Sequence, residues 1–250
     1  MMTDLTKQFL NEVSPRLERL AGPNKAIDDA VLLIADSLEA GGVVQAFGTG
    51  HSEAFAMEIA GRAGGLIATN RIALRTLVLR GDRSVSELGG AEFERDPNVG
   101  ENLLALFDVQ PKDIFIIASN SGVNGSILGV ALAAKTRGHK VIAVTSLAHT
   151  NAVRPKHPSG KRLSEVADIV IDNLAPFGDS TMALEGGIGV GAVSSITAAF
   201  IAQRITIGVA ETMRQHGKTP PVYISANIPG GDEHNRALED LYGVRIRREA

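Results

Sequence analysis

The chain has 250 residues, 26.3 kDa and 44% hydrophobic side chains, enough to bury one large core. Its 25 basic and 28 acidic side chains leave a net charge of −3 and a pI near 6.1, which excludes a general attraction for nucleic acid or an anionic membrane. With no cysteine, a disulfide framework, thiolate metal ligation and a cysteine nucleophile are excluded together.

The N-terminus lacks the basic start and unbroken apolar block of a secretory signal, so a cytoplasmic protein is expected. A first apolar stripe, Phe9, Val13, Leu17 and Leu20, predicts a helix that Pro15 either starts anew or kinks. A second, Ile27, Val31, Ile34, Ala35 and Leu38, predicts a helix ending at Gly41-Gly42. Short apolar runs then alternate with helical stretches, the pattern of strands joined by crossover helices in a parallel sheet. Five strands are predicted: Val43–Phe47, Leu74–Leu79, Ile114–Ser119, Val141–Ser146 and Ile169–Asp172. The intervening helices are expected over 53–63, 99–108 and 125–137, with a long small-residue helix over 188–215. Gly186–Gln203 is uncharged but rich in Gly, Ser and Thr, and reads as a buried helix rather than a membrane span. With 27 glycines against 8 Phe, 2 Tyr and no Trp, the composition suits an α/β protein with a small-residue core. Nothing marks a domain boundary, so residues 1–250 are expected to form one domain, with a helical segment over about 1–40 and a C-terminal extension over about 220–250.

In such a sheet ligands bind beyond the C-terminal ends of the strands. Two loops there carry chemistry. In Gly48-Thr49-Gly50-His51-Ser52-Glu53 paired glycines allow close backbone approach, but Glu53 stands where a dinucleotide loop needs a third glycine. Ser119-Asn120-Ser121-Gly122-Val123-Asn124-Gly125-Ser126 joins a buried strand to an apolar helix. Its small hydrogen-bonding side chains and helix-terminal amides form a cup for a phosphate monoester without any Lys or Arg. No Gly-Lys-Ser/Thr follows, which argues against nucleotide triphosphate hydrolysis, and no cofactor is expected.

The combination of Gly42–Ser52, the stretch from Asp113 to Ser146 and the later ADIVIDN resembles the SIS domain, the sugar-phosphate isomerase module, over about residues 30–210. The resemblance implies a flavodoxin-like three-layer sandwich with a five-stranded parallel sheet, a bound sugar phosphate, and homodimers or homotetramers with sites near an interface. The family's hydroxyl-rich phosphate loop falls on Ser119, Ser121 and Asn124, the last in place of a usual Ser or Thr. GTGHS, RAGG at Arg62–Gly65 and NIPGGDEHN at Asn227–Asn235 resemble a compact single-domain branch of the family that is similar to N-acetylglucosamine-6-phosphate dehydratase, with phosphoheptose isomerase and N-acetylmuramic acid 6-phosphate etherase as more distant relatives. An ungapped match to more distant members puts Arg62 where they carry a catalytic Glu, with Glu58 one turn earlier.

Chemistry of this kind asks for a base beside an opened sugar aldehyde and an acid for a carbonyl or leaving oxygen. Glu58, sharing a helix face with Arg62, and His234, between acidic neighbours, are the catalytic candidates. Gly48, Gly50, His51, Ser52, Arg62, Ser119, Asn120, Ser121, Gly122, Asn124 and Ser126 are expected to bind substrate. His51 is the rival imidazole; His139, His149, His157 and His216 are set aside. No metal-ligand spacing occurs. The charged connection from Glu87 to Asp96 reads as solvated, with a cover for the pocket as the alternative. The expected activity is dehydration of N-acetylglucosamine 6-phosphate across C2 and C3. An aldose–ketose isomerase and a non-catalytic sugar-phosphate sensor are the alternatives.

Overall fold

A computed structural model describes residues 2–89 and 91–247. The chain opens with α1 (Met2–Ala21), which contains Pro15 without ending there. After it comes α2 (Lys25–Glu39), capped by Asn24, whose side chain accepts the Ile27 amide at 3.2 Å. The predicted stripe of α2 is its buried face.

Five parallel strands form the sheet: β1 (Val44–Gly48), β2 (Thr69–Ile72), β3 (Ile114–Ala118), β4 (Lys140–Thr145) and β5 (Ile169–Asp172), in spatial order β2-β1-β3-β4-β5. Four match the predicted runs. The second does not: Leu74–Leu79 forms a turn and a short helix, α4 (Thr76–Leu79), and the strand lies just before it. Polar residues disguise β2. Asn70 is 1% exposed because its side-chain amide donates to Gln45 Oε1 (3.2 Å) and to the Arg245 carbonyl (2.8 Å), so a polar residue serves as buried strand.

Connections supply the layers. Between β1 and β2 runs α3 (Glu53–Ile59), and between β2 and β3 run α4, α5 (Glu92–Arg95) and α6 (Val99–Leu104). Beyond β3 come α7 (Gly125–Thr136), then, after β4, α8 (Leu147–Ala152) and α9 (Leu163–Val166). A two-stranded antiparallel hairpin, β6 (Ser180–Ala183) and β7 (Gly189–Ala192), precedes α10 (Ser194–Gln215) and α11 (Gly231–Glu239). The long helix expected over 188–215 therefore starts at Ser194, and its first residues belong to the hairpin, where Gly191 adopts φ +73°. Gly186–Gln203 is split between the two, and among the described residues no helix is long and apolar enough to cross a membrane.

Alternate residues of the sheet feed two cores. On one face Val44, Ala46, Ile114, Ile116 and Val144 pack with α2, α3 and α10. On the other Phe47, Phe115, Ile117, Val141 and Ala143 pack with α6, α7 and Phe93 of α5. All five residues of β3 are buried, as a central strand covered on both faces requires.

The last described residues return to the N-terminal ends of the strands. The Asp113 side chain, wholly buried, accepts the Val43 amide (2.9 Å), Gln45 Nε2 (2.9 Å) and the Gln110 amide (3.0 Å), and pairs with the Arg245 guanidinium. Arg245 also donates to the Gly41 carbonyl at 2.6 Å, so the C-terminal extension is fastened beneath the sheet, opposite the expected site.

Candidate functional site

The strand order reverses direction between β1 and β3, and a crevice opens beyond their C-terminal ends for that reason. There a hollow of about 260 Å³ is lined by Thr49, Gly50, His51 and Ser52 after β1, and by Ser119, Asn120, Ser121 and Asn124 after β3. Glu94, His149, Gly178 and Asp179 complete it.

The loop after β3 is folded by its own polar groups. Ser119 Oγ accepts the Gly122 amide (3.1 Å), and the Asn120 side chain is held by Asn173 Nδ2 (3.0 Å). Gly122, at φ +63°, turns the chain behind the cup, its carbonyl accepting the Leu163 amide at 2.8 Å. Among the described residues the amides of Asn120, Ser121, Val123 and Asn124 donate to no protein group, and Ser121 Oγ has no partner. Uncommitted amides and hydroxyls at the start of α7 are the donors an anion needs.

Glu94 ties the two loops together. Its Oε1 accepts Thr49 Oγ1 at 2.9 Å and Asn124 Nδ2 at 2.7 Å, and its carbonyl accepts Ser126 Oγ at 2.6 Å. Close packing holds this segment on α7: a Cβ at Gly125 would lie 1.9 Å from the Arg95 carbonyl oxygen. The connection read as solvated is thus a wall of the hollow at Glu94. The Asn124 side chain, expected to face phosphate, is engaged by that carboxylate through Nδ2, and Ser126, wholly buried, fastens the wall instead of facing the hollow.

The third wall follows β4 and β5. His149 stacks on Phe177 with ring centroids 5.2 Å apart, and its Nδ1 accepts the Gly178 amide at 2.9 Å. That bond makes Nδ1 an acceptor and places the ring proton on Nε2. Asp179 has φ +69°, a backbone state that costs energy in any residue but glycine and is best tolerated by Asp and Asn. Its Oδ1 accepts the amides of Val193 (3.2 Å) and Ser194 (2.8 Å), so it caps the N-terminus of α10 from outside the helix. Ser194 Oγ donates to Asp179 Oδ2 at 2.6 Å and lies 3.2 Å from His51 Nε2.

Seven of the expected residues therefore meet in the hollow: Gly50, His51, Ser52, Ser119, Asn120, Ser121 and Asn124. Gly48 and Gly122 shape the loops from behind. A Cβ at Gly48 would lie 2.3 Å from the Ser52 carbonyl oxygen. Glu58, Arg62 and His234 do not line the hollow. Glu58 is paired with Arg62 and accepts Gln203 Nε2 at 2.5 Å. Gln203 lies nine residues along α10 from Ser194, about 13 Å at a helical rise of ~1.5 Å per residue. Helical spacing does put Glu58 and Arg62 on one face, where they pair with each other at the surface. The imidazole of His234 is bonded to the Val222 carbonyl at 3.0 Å, in the segment bridged to Leu66 beside α3. Thr49, Glu94, His149 and Asp179 were not among the expected site residues. Of these Thr49 carried a signal, its place between the paired glycines of the first loop, and so did Glu94, its place in a charged connection ahead of the phosphate loop; Asp179 and His149 look like ordinary loop residues in sequence.

The fold is an α/β sandwich around a five-stranded parallel sheet, and the chain belongs to the SIS domain family, whose pattern matches residues 8–146. It is 39% identical over 236 residues to the UPF0309 protein lmo0025 of Listeria monocytogenes, covering 94% of each chain. It is 32% identical over 244 residues to the UPF0309 protein GK1441 of Geobacillus kaustophilus, covering 97% and 96%. In fold it is similar to a phosphoheptose isomerase from Francisella tularensis (TM-score 0.56, 17% identity, 84% of this chain and 99% of that one). A similar likeness links it to a phosphoheptose isomerase from Neisseria gonorrhoeae (TM-score 0.56, 17% identity, 84% and 100%).

Proposed function

We propose that the hollow binds a phosphorylated amino sugar and removes water from it, acting on N-acetylglucosamine 6-phosphate across C2 and C3. The observation that carries this reading is the convergence, in one hollow of about 260 Å³, of an uncharged donor cup, two carboxylates and two imidazoles. That volume lies just below the ~300–1,000 Å³ usual for small-molecule clefts and suits one monosaccharide phosphate better than a nucleotide. The phosphate sits at the amides and hydroxyls of residues 119–124, and the opened sugar extends toward Glu94 and His51. Glu94 takes the place expected for Glu58: its free Oε2 accepts the C2 proton of the aldehyde form, and the electron pair passes to the C2–C1–O system as an enolate. His51 in its imidazolium form, with Nε2–H still on Ser194 Oγ, then delivers its Nδ1 proton to the C3 hydroxyl and is left as the neutral Nε2–H ring. Water leaves with the C3–O electrons, and a C2=C3 double bond conjugated to the C1 aldehyde remains.

The test is direct incubation with N-acetylglucosamine 6-phosphate, followed by ultraviolet absorbance and mass. Loss of one water with a new conjugated chromophore supports the proposal. An unchanged mass with a new ketose replaces dehydration by isomerisation, and saturable binding with neither product leaves a sensor.

A further inference from the structure

Asp179, Ser194 and His51 form a chain of hydrogen bonds whose direction is fixed at one end. The Asp179 carboxylate accepts on both oxygens, two amides on Oδ1 and the Ser194 hydroxyl on Oδ2 (2.6 Å). Having given its only proton to Asp179, Ser194 Oγ can only accept from His51 Nε2 at 3.2 Å. Nε2 itself is 4.0 Å from Asp179 Oδ2, too far for a direct bond. Ser194 is 3% exposed, so no bulk water competes for its proton.

We infer that Asp179 and Ser194 are positioning residues that hold His51 in the Nε2–H tautomer, leaving Nδ1 as the acceptor His51 presents to a ligand. Among the described residues Nδ1 of His51 has no protein partner. The neighbouring imidazole is set the other way: His149 Nδ1 is taken by the Gly178 amide, so its free nitrogen is the donor Nε2–H. One wall of the hollow thus offers one ring acceptor and one ring donor, each fixed by the protein before a ligand arrives. The backbone of Asp179 points to the same role, because the strained left-handed φ of +69° falls on the residue whose carboxylate starts the chain. The functional consequence rests on the hollow being the reacting site; the tautomer does not.

The experiment is nitrogen-15 NMR of the imidazoles in the full chain without ligand, with His51 assigned by the signals lost in His51→Gln. The wild type is expected to show His51 as the Nε2–H form. Asp179→Asn keeps an acceptor for the two amides and a residue that tolerates positive φ, but puts an NH₂ opposite Ser194. The hydroxyl must then donate to His51, and the ring is expected to switch to Nδ1–H. Ser194→Ala, which leaves the amide cap intact, is expected to give both tautomers and serves if Asp179→Asn fails to fold. A wild-type ring in the Nδ1–H form, or variants that keep the wild-type tautomer, overturns the inference. A switch seen in a protein that dehydrates nothing leaves the inference standing and removes only the proposed activity.

Discussion

Glu94→Gln separates the two demands the hollow places on its carboxylate. The substitution is isosteric, and the amide oxygen still accepts Thr49 Oγ1 and Asn124 Nδ2, so the walls stay joined. What changes is charge. A sphere of 260 Å³ is about 8 Å across; for a carboxylate and a phosphate dianion held about 7 Å apart within it, water-like screening makes the repulsion cost about 1 kcal/mol. Removing it is expected to tighten sugar-phosphate binding about fivefold at low salt, with the gain shrinking as ionic strength rises. Turnover is expected to fall by about 10²–10⁴, the usual loss when a general base is removed. Calorimetry with N-acetylglucosamine 6-phosphate at two salt concentrations measures the first, and mass-resolved product formation the second. Weaker binding with undiminished turnover refutes the placement of Glu94 opposite the phosphate and its role as base together.

Ser121→Leu puts an apolar side chain into the donor cup at a position that makes no hydrogen bond to protein; calorimetric binding is expected to vanish while the unfolding midpoint moves by no more than about 2 °C. Gly125→Ala drives a methyl against the Arg95 carbonyl, 1.9 Å away, and is expected to cost about 1–3 kcal/mol in denaturant unfolding and to weaken turnover by moving the Glu94 wall. Arg245→Ala leaves the buried Asp113 carboxylate without its cation; because three other donors remain, a loss of about 3 kcal/mol, the low end for a broken buried pair, is expected in urea. An unchanged urea midpoint would show that the C-terminal extension contributes nothing to the sheet.

The central layer was legible because burial dictates composition there. β3 and β4 are continuous apolar runs because helices cover both faces, and the polar cup after β3 stands out against them. The edge is a different matter. β2 draws its stability from partners far along the chain, Gln45 and Arg245, so its own four residues carry no strand pattern, while Leu74–Leu79 carries one without forming it. In the site the same contrast holds. Residues on the two loops that leave β1 and β3 were readable from local spacing, since each loop is a contiguous set of small residues. Glu94, His149 and Asp179 arrive from three other connections, and only the fold brings them together. Glu58 and His234 were chosen for their side-chain chemistry, and each is bonded elsewhere, to Gln203 and to the Val222 carbonyl.

In the proposed function a cup without Lys or Arg holds a dianion next to two carboxylates, and the way each carboxylate is already bonded sets the cost. Asp179 is the nearer in sequence to the helix that would feel it, and its charge is already met by two amides at the start of a 22-residue helix and by the Ser194 hydroxyl. Its field toward the cup is correspondingly reduced, and it acts through the hydrogen-bond chain to His51. Among the described residues the Glu94 side chain accepts two neutral donors, both on Oε1, so in the proposed reading its charge opposes the phosphate and its Oε2 is open to a proton. Elimination needs separate groups to take a proton at C2 and give one at C3, whereas isomerisation needs one group that carries a proton from C2 to C1. In the proposed reaction a carboxylate on the α5 wall takes the first proton and the His51 imidazolium on the wall after β1 gives the second, two separate sites of proton transfer, which is the reason elimination is proposed ahead of isomerisation.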